Sequence, residues 1–291
     1  MGAALSDIKR KVKAVEKTKQ ITRAMNMVAA AKLKSAQMKM ENFRPYASKL
    51  QEVMADLSQR VDMKIHPVLA VREPSRIKVI VVTSDKGLCG GFNSNLIRKA
   101  EVFIREQKKE GREVSLIAVG KKGRDYFRRK ENIIAQYLDI SKKEGVQIAG
   151  DILGDTINSY VEEDYDALYL VYSEFRNLAS QKPEIVQLLP LSTLDSDDEE
   201  RIRKADYVYE PSDEELLHHL IPLYLRSLIL KGILETAAGE HGARMVAMDN
   251  ATSNCDELIG SLTLQYNKAR QAAITNELMD IVGGTEALAK G

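Results

Sequence analysis

The residues best able to do chemistry lie in one glycine-rich stretch, Thr83-Ser84-Asp85-Lys86-Gly87-Leu88-Cys89-Gly90-Gly91-Phe92-Asn93. It follows an apolar run and precedes a helical pattern, the place where backbone amides and a helix N-terminus can cradle phosphate. The spacing argues against that use. A dinucleotide fingerprint needs glycines at positions one, three and six, whereas Gly87, Gly90 and Gly91 fall at one, four and five. Lys86 precedes the glycines instead of closing a P-loop. The better reading is a tight structural turn placed to touch a neighbour. The histidines are equally unpromising. His218 and His219 are adjacent on a helical pattern and face apart, His241 precedes Gly242, and His66 precedes Pro67, with no second ligand at metal spacing. Cys89 and Cys255 stand in unrelated contexts and read as free thiols of a reducing compartment, Cys255 as packing on a helical seam. No nucleophile elbow is present. The chain does not read as a self-contained enzyme, and nothing in it assigns a metal or cofactor.

The glycine-rich turn belongs to a middle region with strand and helix periods in alternation. Arg76–Thr83, Glu113–Val119, Ile133–Leu138, Ala167–Tyr172 and Ile185–Leu191 read as strands, the first two as buried apolar runs. Asn95–Lys109, Lys122–Arg129 and Val146–Glu163 read as the helices between the first four. That alternation implies crossovers and a mainly parallel, Rossmann-like α/β sheet with helices on its faces. Pro183 and Pro190 bracket the last strand and suggest an edge. Asp195–Glu200 reads as an acidic loop.

Both ends of the chain carry helical seams. From Pro211, where Ser212 and Glu215 make a capping box, apolar residues recur through Leu217, Leu220, Tyr224 and Leu228. The pattern then passes to Met245, Met248, Thr252, Cys255, Ile259, Leu262, Tyr266, Ala269 and Ala273 in alternating steps of three and four. Pro222 should bend this helix and Gly283-Gly284 should stop it. Unbroken, it would reach about 110 Å at ~1.5 Å per residue, so its seam needs a partner. The N-terminal helix supplies one. Ser6-Asp7 read as its cap, Ile8, Val12 and Val15 as one face, and Ile21, Met25 and Val28 as the same face after a phase slip. Ala36, Met40, Phe43, Ala47, Leu50, Met54, Leu57 and Val61 continue it; Pro45 interrupts the hydrogen bonding but not the stripe, so a bend near Arg44 is expected and not a stop. The expected fold class is α/β: a long antiparallel coiled coil of the terminal helices plus the mainly parallel domain. The expected division is residues 1–62, 74–195 and 210–289.

A formal net charge of +1 gives the whole molecule no nucleic-acid signature, so charge arguments must be local. Locally, Lys9, Arg10, Lys11, Lys13, Lys17, Lys19, Arg23, Lys32, Lys34 and Lys39 face only Asp7 and Glu16. Such a run is a solvated face, a collar for acidic protein surfaces, or an arm for RNA backbones; the lack of interleaved aromatics ranks the last lowest. No apolar run is long enough to span a bilayer, and no signal core or transit pattern opens the sequence.

Three stretches together resemble the gamma subunit of F-type ATP synthases of the bacterial type: Ile21–Lys32, Ser84–Asn93, and Arg244–Asn254 with Tyr266–Leu278 after it. The resemblance covers the whole chain in order. It implies a non-catalytic rotor of the central stalk, coupling proton-driven rotation of the membrane c-ring to ATP synthesis or hydrolysis at beta-subunit sites. The implied partners are the alpha and beta subunits of the catalytic ring, epsilon and the c-ring, with no nucleic acid, no cofactor, and only indirect contact with the membrane at its cytoplasmic side. By position, the resemblance assigns beta-subunit contacts to Arg23, Met25, Arg270, Gln271, Thr275 and Glu277. It assigns c-ring and epsilon contacts to Tyr207, Tyr209 and Glu210, and an apolar bearing tip to Leu278, Ile281 and Val282. Chloroplast relatives carry an inserted pair of regulatory cysteines before the last helix; Leu191–Tyr209 has none, so thiol control is not expected. Two other readings stand beside this one: an α/β enzyme with a coiled-coil docking arm, requiring a nucleotide at Gly87–Gly91, and a plain structural tether.

Overall fold

The computed structural model describes residues 2–60, 68, 72–178, 180–191 and 213–289. In chain order the elements are α1 (Gly2–Arg60), β1 (Arg76–Val82), α2 (Phe92–Lys109), β2 (Glu113–Val119), α3 (Lys121–Phe127) and β3 (Asn132–Tyr137). After these come α4 (Gly145–Val161), β4 (Ala167–Phe175), β5 (Gln181–Leu189) and α5 (Asp213–Ala289). The chain forms two compact units: residues 1–29 with 245–291, and residues 30–244. Helices α1 and α5 each contribute to both.

The larger unit is built on a five-stranded sheet in the order β3-β2-β1-β4-β5. β1, β2, β3 and β4 pair in parallel, and β5 runs antiparallel at the edge. The parallel strands are Val- and Ile-rich because both faces are covered, which leaves no polar side to alternate with. On one face α2 and α3 bring Leu96, Ala100, Ile104 and Phe127 against Val79, Val81, Leu116 and Val171. On the other, Ile148 and Ile152 of α4, Met54 and Leu57 of α1, and Ile221, Leu225 and Ile229 of α5 pack on Ile80, Ile117 and Leu170. Side chains of this size contribute ~1.5–3 kcal/mol each when fully buried, and that is what anchors the helices to the sheet. A carboxylate staples two strand starts: Asp166 accepts from Ser75 N and Oγ at 2.9 Å and from Arg76 N at 2.7 Å. Burial opposes its ionisation, but those hydrogen bonds outweigh it and hold its pKa below the ordinary value.

In the smaller unit α1 and α5 run antiparallel. Lys19 pairs with Asp256, Thr22 Oγ1 lies 2.8 Å from Thr252 Oγ1, and Asn26 Nδ2 donates to Met245 O at 3.0 Å. Every seam position expected between Met245 and Ala273 is buried or half-buried. From Ile274 to Thr285 every side chain is exposed.

Several expectations fail. The phase slip in α1 does not occur: the seam runs through Lys19, Thr22, Met25, Asn26 and Ala29, while Ile21 and Val28 point outward at 59% and 56% exposure. α1 begins at Gly2, so Ser6-Asp7 lie inside it and Asp7 pairs with Arg10 at 2.8 Å instead of capping. At Pro45 and Pro222, where a bend and not a stop is expected, the helices do continue. Ile221 and Leu225 beside Pro222 are fully buried, and that packing offsets a proline cost of ~3 kcal/mol. α5 also continues through Gly283-Gly284, since glycine costs only ~1 kcal/mol relative to alanine and does not by itself end a helix. Pro183 lies inside β5, opposite Ser173, an arrangement an edge strand tolerates. Ser212, His66 and Asp195–Glu200 lie outside the described residues.

Candidate functional site

The glycine-rich turn closes on itself. Ser84 N donates to Asn93 Oδ1 at 3.1 Å, Asn93 Nδ2 donates to Cys89 Sγ at 3.1 Å, and Ser84 Oγ donates to Lys86 O at 2.6 Å. Gly90 takes a left-handed φ of +56°, and so does Leu88 at +61°, which sends the Leu88 side chain outward at 65% exposure. Alongside, Gly120 has φ +91°, and a Cβ there would sit 2.1 Å from Thr83 O, so only glycine lets the two strand exits pass.

The neighbour that the turn touches is α5. Arg244, 9% exposed, donates from Nη2 to Gly87 O at 3.1 Å and to Glu240 Oε1 at 2.6 Å. Its Nε reaches Gly87 O at 3.3 Å, and Nη1 lies 3.2 Å from His241 Nδ1. A phosphate cradle presents N–H groups, whereas this turn presents carbonyl oxygens to a guanidinium, so its polarity is inverted. Electrostatics follow from burial. Desolvation raises the pKa of Glu240 against the pull of Arg244, and lowers that of His241 to about 4 with Arg244 and Lys32 adding repulsion. Desolvation likewise pushes the Cys89 thiol up, leaving it a packing residue and not a nucleophile. Sequence reasoning missed this cluster because its partners are 157 positions apart. The only available signal was Glu240 and Arg244 at one helical turn.

It missed the seat of α5 on the sheet as well. A Cβ on Gly232 would lie 2.9 Å from Leu170 Cδ2, and one on Gly239 would lie 2.9 Å from Phe92 Cε2. Between them Thr236 Oγ1 accepts from Ser173 N at 3.2 Å. Gly232, Thr236 and Gly239 are spaced four and three apart, a strip of small residues that brings the helix close to β4.

The candidate contact residues lie on the helical pair. Arg23 is exposed and Met25 half-buried on α1; Arg270, Gln271, Thr275 and Glu277 are exposed on α5. Leu278, Ile281 and Val282 are 57%, 63% and 56% exposed, in the stretch of α5 where nothing is buried. The structure does not gather these residues into one place: the antiparallel register puts Leu5 opposite about residue 270, so the later ones lie beyond the start of α1. Tyr207, Tyr209 and Glu210 lie outside the described residues. The basic run is thinner than the sequence reading has it, because Lys19 is drawn to Asp256 and Lys39 lies 4.0 Å from Glu144. Its other members, from Lys9 to Lys34, are exposed. So are large apolar side chains among them, Met27 at 62% and, on α5, Leu264 at 72%. Among the described residues no helix is long and apolar enough to cross a membrane.

A family model described as ATP synthase matches residues 4–288. The chain is 58% identical over 290 residues to the ATP synthase gamma chain of Syntrophus aciditrophicus, covering 99% of this chain and 100% of that one. It is 47% identical over 291 residues to that of Syntrophobacter fumaroxidans, covering 99% and 100%. Among solved structures, the central stalk and c-ring of the Tetrahymena thermophila mitochondrial ATP synthase includes a chain 27% identical with a TM-score of 0.62, over 79% of this chain and 99% of that one. A chain of the Euglena gracilis mitochondrial enzyme, 20% identical, shares the fold at a TM-score of 0.69 over 99% and 95%. An α/β body with antiparallel terminal helices, matched end to end by these relatives, makes this chain a member of the ATP synthase gamma-chain family.

Proposed function

We propose that this chain is the central-stalk rotor of a proton-translocating ATP synthase, non-catalytic itself, which transmits rotation between a membrane c-ring and the nucleotide sites of an alpha–beta ring. The observation that carries the reading is the pairing of a packed helical seam with an outer surface that is both basic and apolar. Ile21, Met27, Val28 and Leu264 are exposed on a helical pair whose own seam is already filled, so they are available to another surface. Two helices locked through Thr22, Asn26, Thr252 and Met245 resist twisting in a way that a single helix or linker does not. The cations around Arg23 attract acidic surfaces through long-range, weakly directional forces, which suits contacts that must slide. An asymmetric shaft inside a ring presents a different side to each site, shifting binding equilibria by differential contact.

On this reading Arg23, Met25, Arg270, Gln271, Thr275 and Glu277 meet beta subunits; Leu278, Ile281 and Val282 turn in an apolar bearing; and Tyr207, Tyr209 and Glu210 meet the c-ring and epsilon. We assign residues 1–62 and 210–289 to the shaft and 74–195 to an α/β body. The complex is membrane-bound, and we place this subunit peripherally at the cytoplasmic face. The test is reconstitution of the purified chain with alpha and beta subunits. The expected result is a stable complex with ATPase activity. A chain that stays apart from them would defeat the reading, and an Arg23→Glu variant that couples as well as the parent would remove Arg23 from it.

A further inference from the structure

The two faces of the sheet carry opposite charge. Residues 92–131, which hold α2 and α3, contain twelve Lys and Arg against six Asp and Glu. Residues 132–178, which hold α4 on the other face, contain three against nine. On the basic face Tyr126 Oη donates to Glu101 Oε2 at 2.8 Å, Lys130 Nζ donates to Glu101 Oε1 at 3.0 Å, and Lys108 pairs with Glu131. Those contacts set α2 and α3 side by side. Arg98, Glu101, Arg105 and Lys108 are spaced three and four apart, so they share the stripe of α2 that borders α3, and Lys122 lies one turn before Tyr126. The three acids that could neutralise this border are already engaged, Asp125 with Arg124 at 2.8 Å. Arg98, Lys99, Arg105, Lys122, Arg128 and Arg129 are exposed and make no side-chain hydrogen bond or ion pair among the described residues.

What this face lacks decides its partner. None of the exposed large apolar side chains lies between residues 92 and 131, whereas Met27 and Val28 stand exposed among the cations of α1. Protein interfaces draw most of their energy from apolar and aromatic anchors, so cations alone make a poor protein-docking surface. A plane of anionic lipid headgroups needs no anchor, because it attracts each Lys or Arg brought within a Debye length of it. Resting on the reading of this chain as part of a membrane-bound complex, we propose that the α2–α3 face binds the headgroup surface of an anionic bilayer. Arg98, Arg105 and Lys122 lie at the centre of the contact, which adds to the attachment through the c-ring.

The experiment is co-sedimentation of the full-length chain with vesicles of phosphatidylglycerol and with vesicles of phosphatidylcholine. Saturable binding to the first and none to the second is expected, lost as salt rises from about 0.05 to 0.5 M. Arg98→Gln combined with Arg105→Gln and Lys122→Gln should weaken it by about tenfold or more, since each cation near such a surface is worth about fivefold. Lys11→Gln combined with Lys13→Gln and Lys17→Gln removes the same charge from exposed positions of α1 and should change binding by less than about threefold, because cations beyond a Debye length of the bilayer are screened from it. Equal binding to the two lipids, an α1 variant that loses as much, or an α2–α3 variant that binds like the parent would each overturn the assignment. Binding of soluble poly-L-glutamate without binding of vesicles would overturn it as well, and would make the face one for acidic protein. No other subunit enters the test, so its failure leaves the rotor reading intact, and a chain that fails to assemble with alpha and beta subunits leaves the vesicle result standing.

Discussion

Thr22 Oγ1 and Thr252 Oγ1 lie 2.8 Å apart, 230 positions from one another in sequence, on facing sides of the helical seam. Each hydroxyl also has a carbonyl of its own helix in reach, Lys19 O at 3.0 Å and Met248 O at 2.8 Å. Two protons among these oxygens leave one arrangement at a time: one hydroxyl donates across the seam and the other donates back to its helix. A polar pair inside an apolar seam fixes register, since a shift would strand both groups. Thr22→Val or Thr252→Val alone should cost about 0.5–1.5 kcal/mol, limited because the surviving hydroxyl keeps its own carbonyl. The double valine variant should recover most of that loss. Urea unfolding of the four proteins measures the coupling, and strictly additive losses would show that the two hydroxyls act independently.

The Arg244–Glu240 pair predicts a pH-dependent deficit. Both side chains are about nine-tenths buried, so Arg244→Gln leaves a carboxylate without its cation and should destabilise the chain by about 3 kcal/mol or more near neutral pH. Removing the guanidinium raises a Glu240 pKa that desolvation has already raised. A raised carboxyl pKa favours folding at low pH and loses that contribution as pH rises through the folded value. The deficit of the variant should therefore shrink as pH falls toward 5, and Glu240→Gln combined with Arg244→Gln should be milder than Arg244→Gln alone. Denaturation midpoints at pH 5 and 8 decide it; a deficit that grows on acidification contradicts the buried-charge account.

How far this was legible varies with the range of the force involved. The strands and the seam from Met245 to Ala273 could be read from spacing alone, because burial of alternating or heptad positions writes itself into residue type. Ile21 and Val28 misled for the same reason: apolar residues exposed on a shaft mimic a buried face, and no local signal separates them. Gly239 and Gly232 read as ordinary helix weakeners until β4 and Phe92 are seen against them. The Arg244 bonds to Gly87 were invisible because nothing near either residue announces the other. Of the candidate contacts, only positions could be inferred, since an interface leaves no mark inside one chain.

His241 should make the larger unit acid-sensitive. Its Nδ1 faces the Arg244 guanidinium, which can only donate, so the neutral ring must accept there. Protonation puts a proton against a cation, and burial together with Arg244 and Lys32 brings the pKa down to about 4. A lowered histidine pKa contributes stability that is present above about 6.5 and is lost as pH falls through the folded value. Between pH 7 and 4.5 that contribution should decline by about 1–2 kcal/mol, a figure discounted because the ring is only half-buried. His241→Asn should lose less stability over the same interval than the parent chain, measured by urea midpoints. Parallel losses in the two proteins would place the acid sensitivity elsewhere.

Two glycines of α5 should respond oppositely to alanine. Gly239→Ala gains ~1 kcal/mol of helix propensity but drives a methyl to 2.9 Å from Phe92 Cε2 and 3.3 Å from Gln181 Cγ. Overpacking of this kind costs ~1–3 kcal/mol, so the net effect should be destabilising or at best neutral. Gly260 has nothing within 4 Å of the added methyl, so Gly260→Ala should stabilise the helix by about 0.5–1 kcal/mol. Thermal unfolding of both variants followed by circular dichroism reads the signs directly; a stabilised Gly239→Ala would mean that α5 is free to lift from Phe92.

The exposed apolar side chains of α1 separate fold from assembly. Met27 and Val28 are 62% and 56% exposed and lie off the seam, so Met27→Gln with Val28→Gln removes little buried area. The stability of the isolated chain should change by less than about 0.5 kcal/mol. If these residues meet the sleeve formed by alpha and beta subunits, the same double variant exposes that surface to water without a matching partner. It should then assemble several-fold more weakly, because apolar anchors carry much of an interface's energy. Comparing unfolding of the free chain with its capture by purified alpha and beta subunits separates the two effects. Unchanged capture would take Met27 and Val28 out of the contact and leave Arg23 and its basic neighbours to carry attraction on their own.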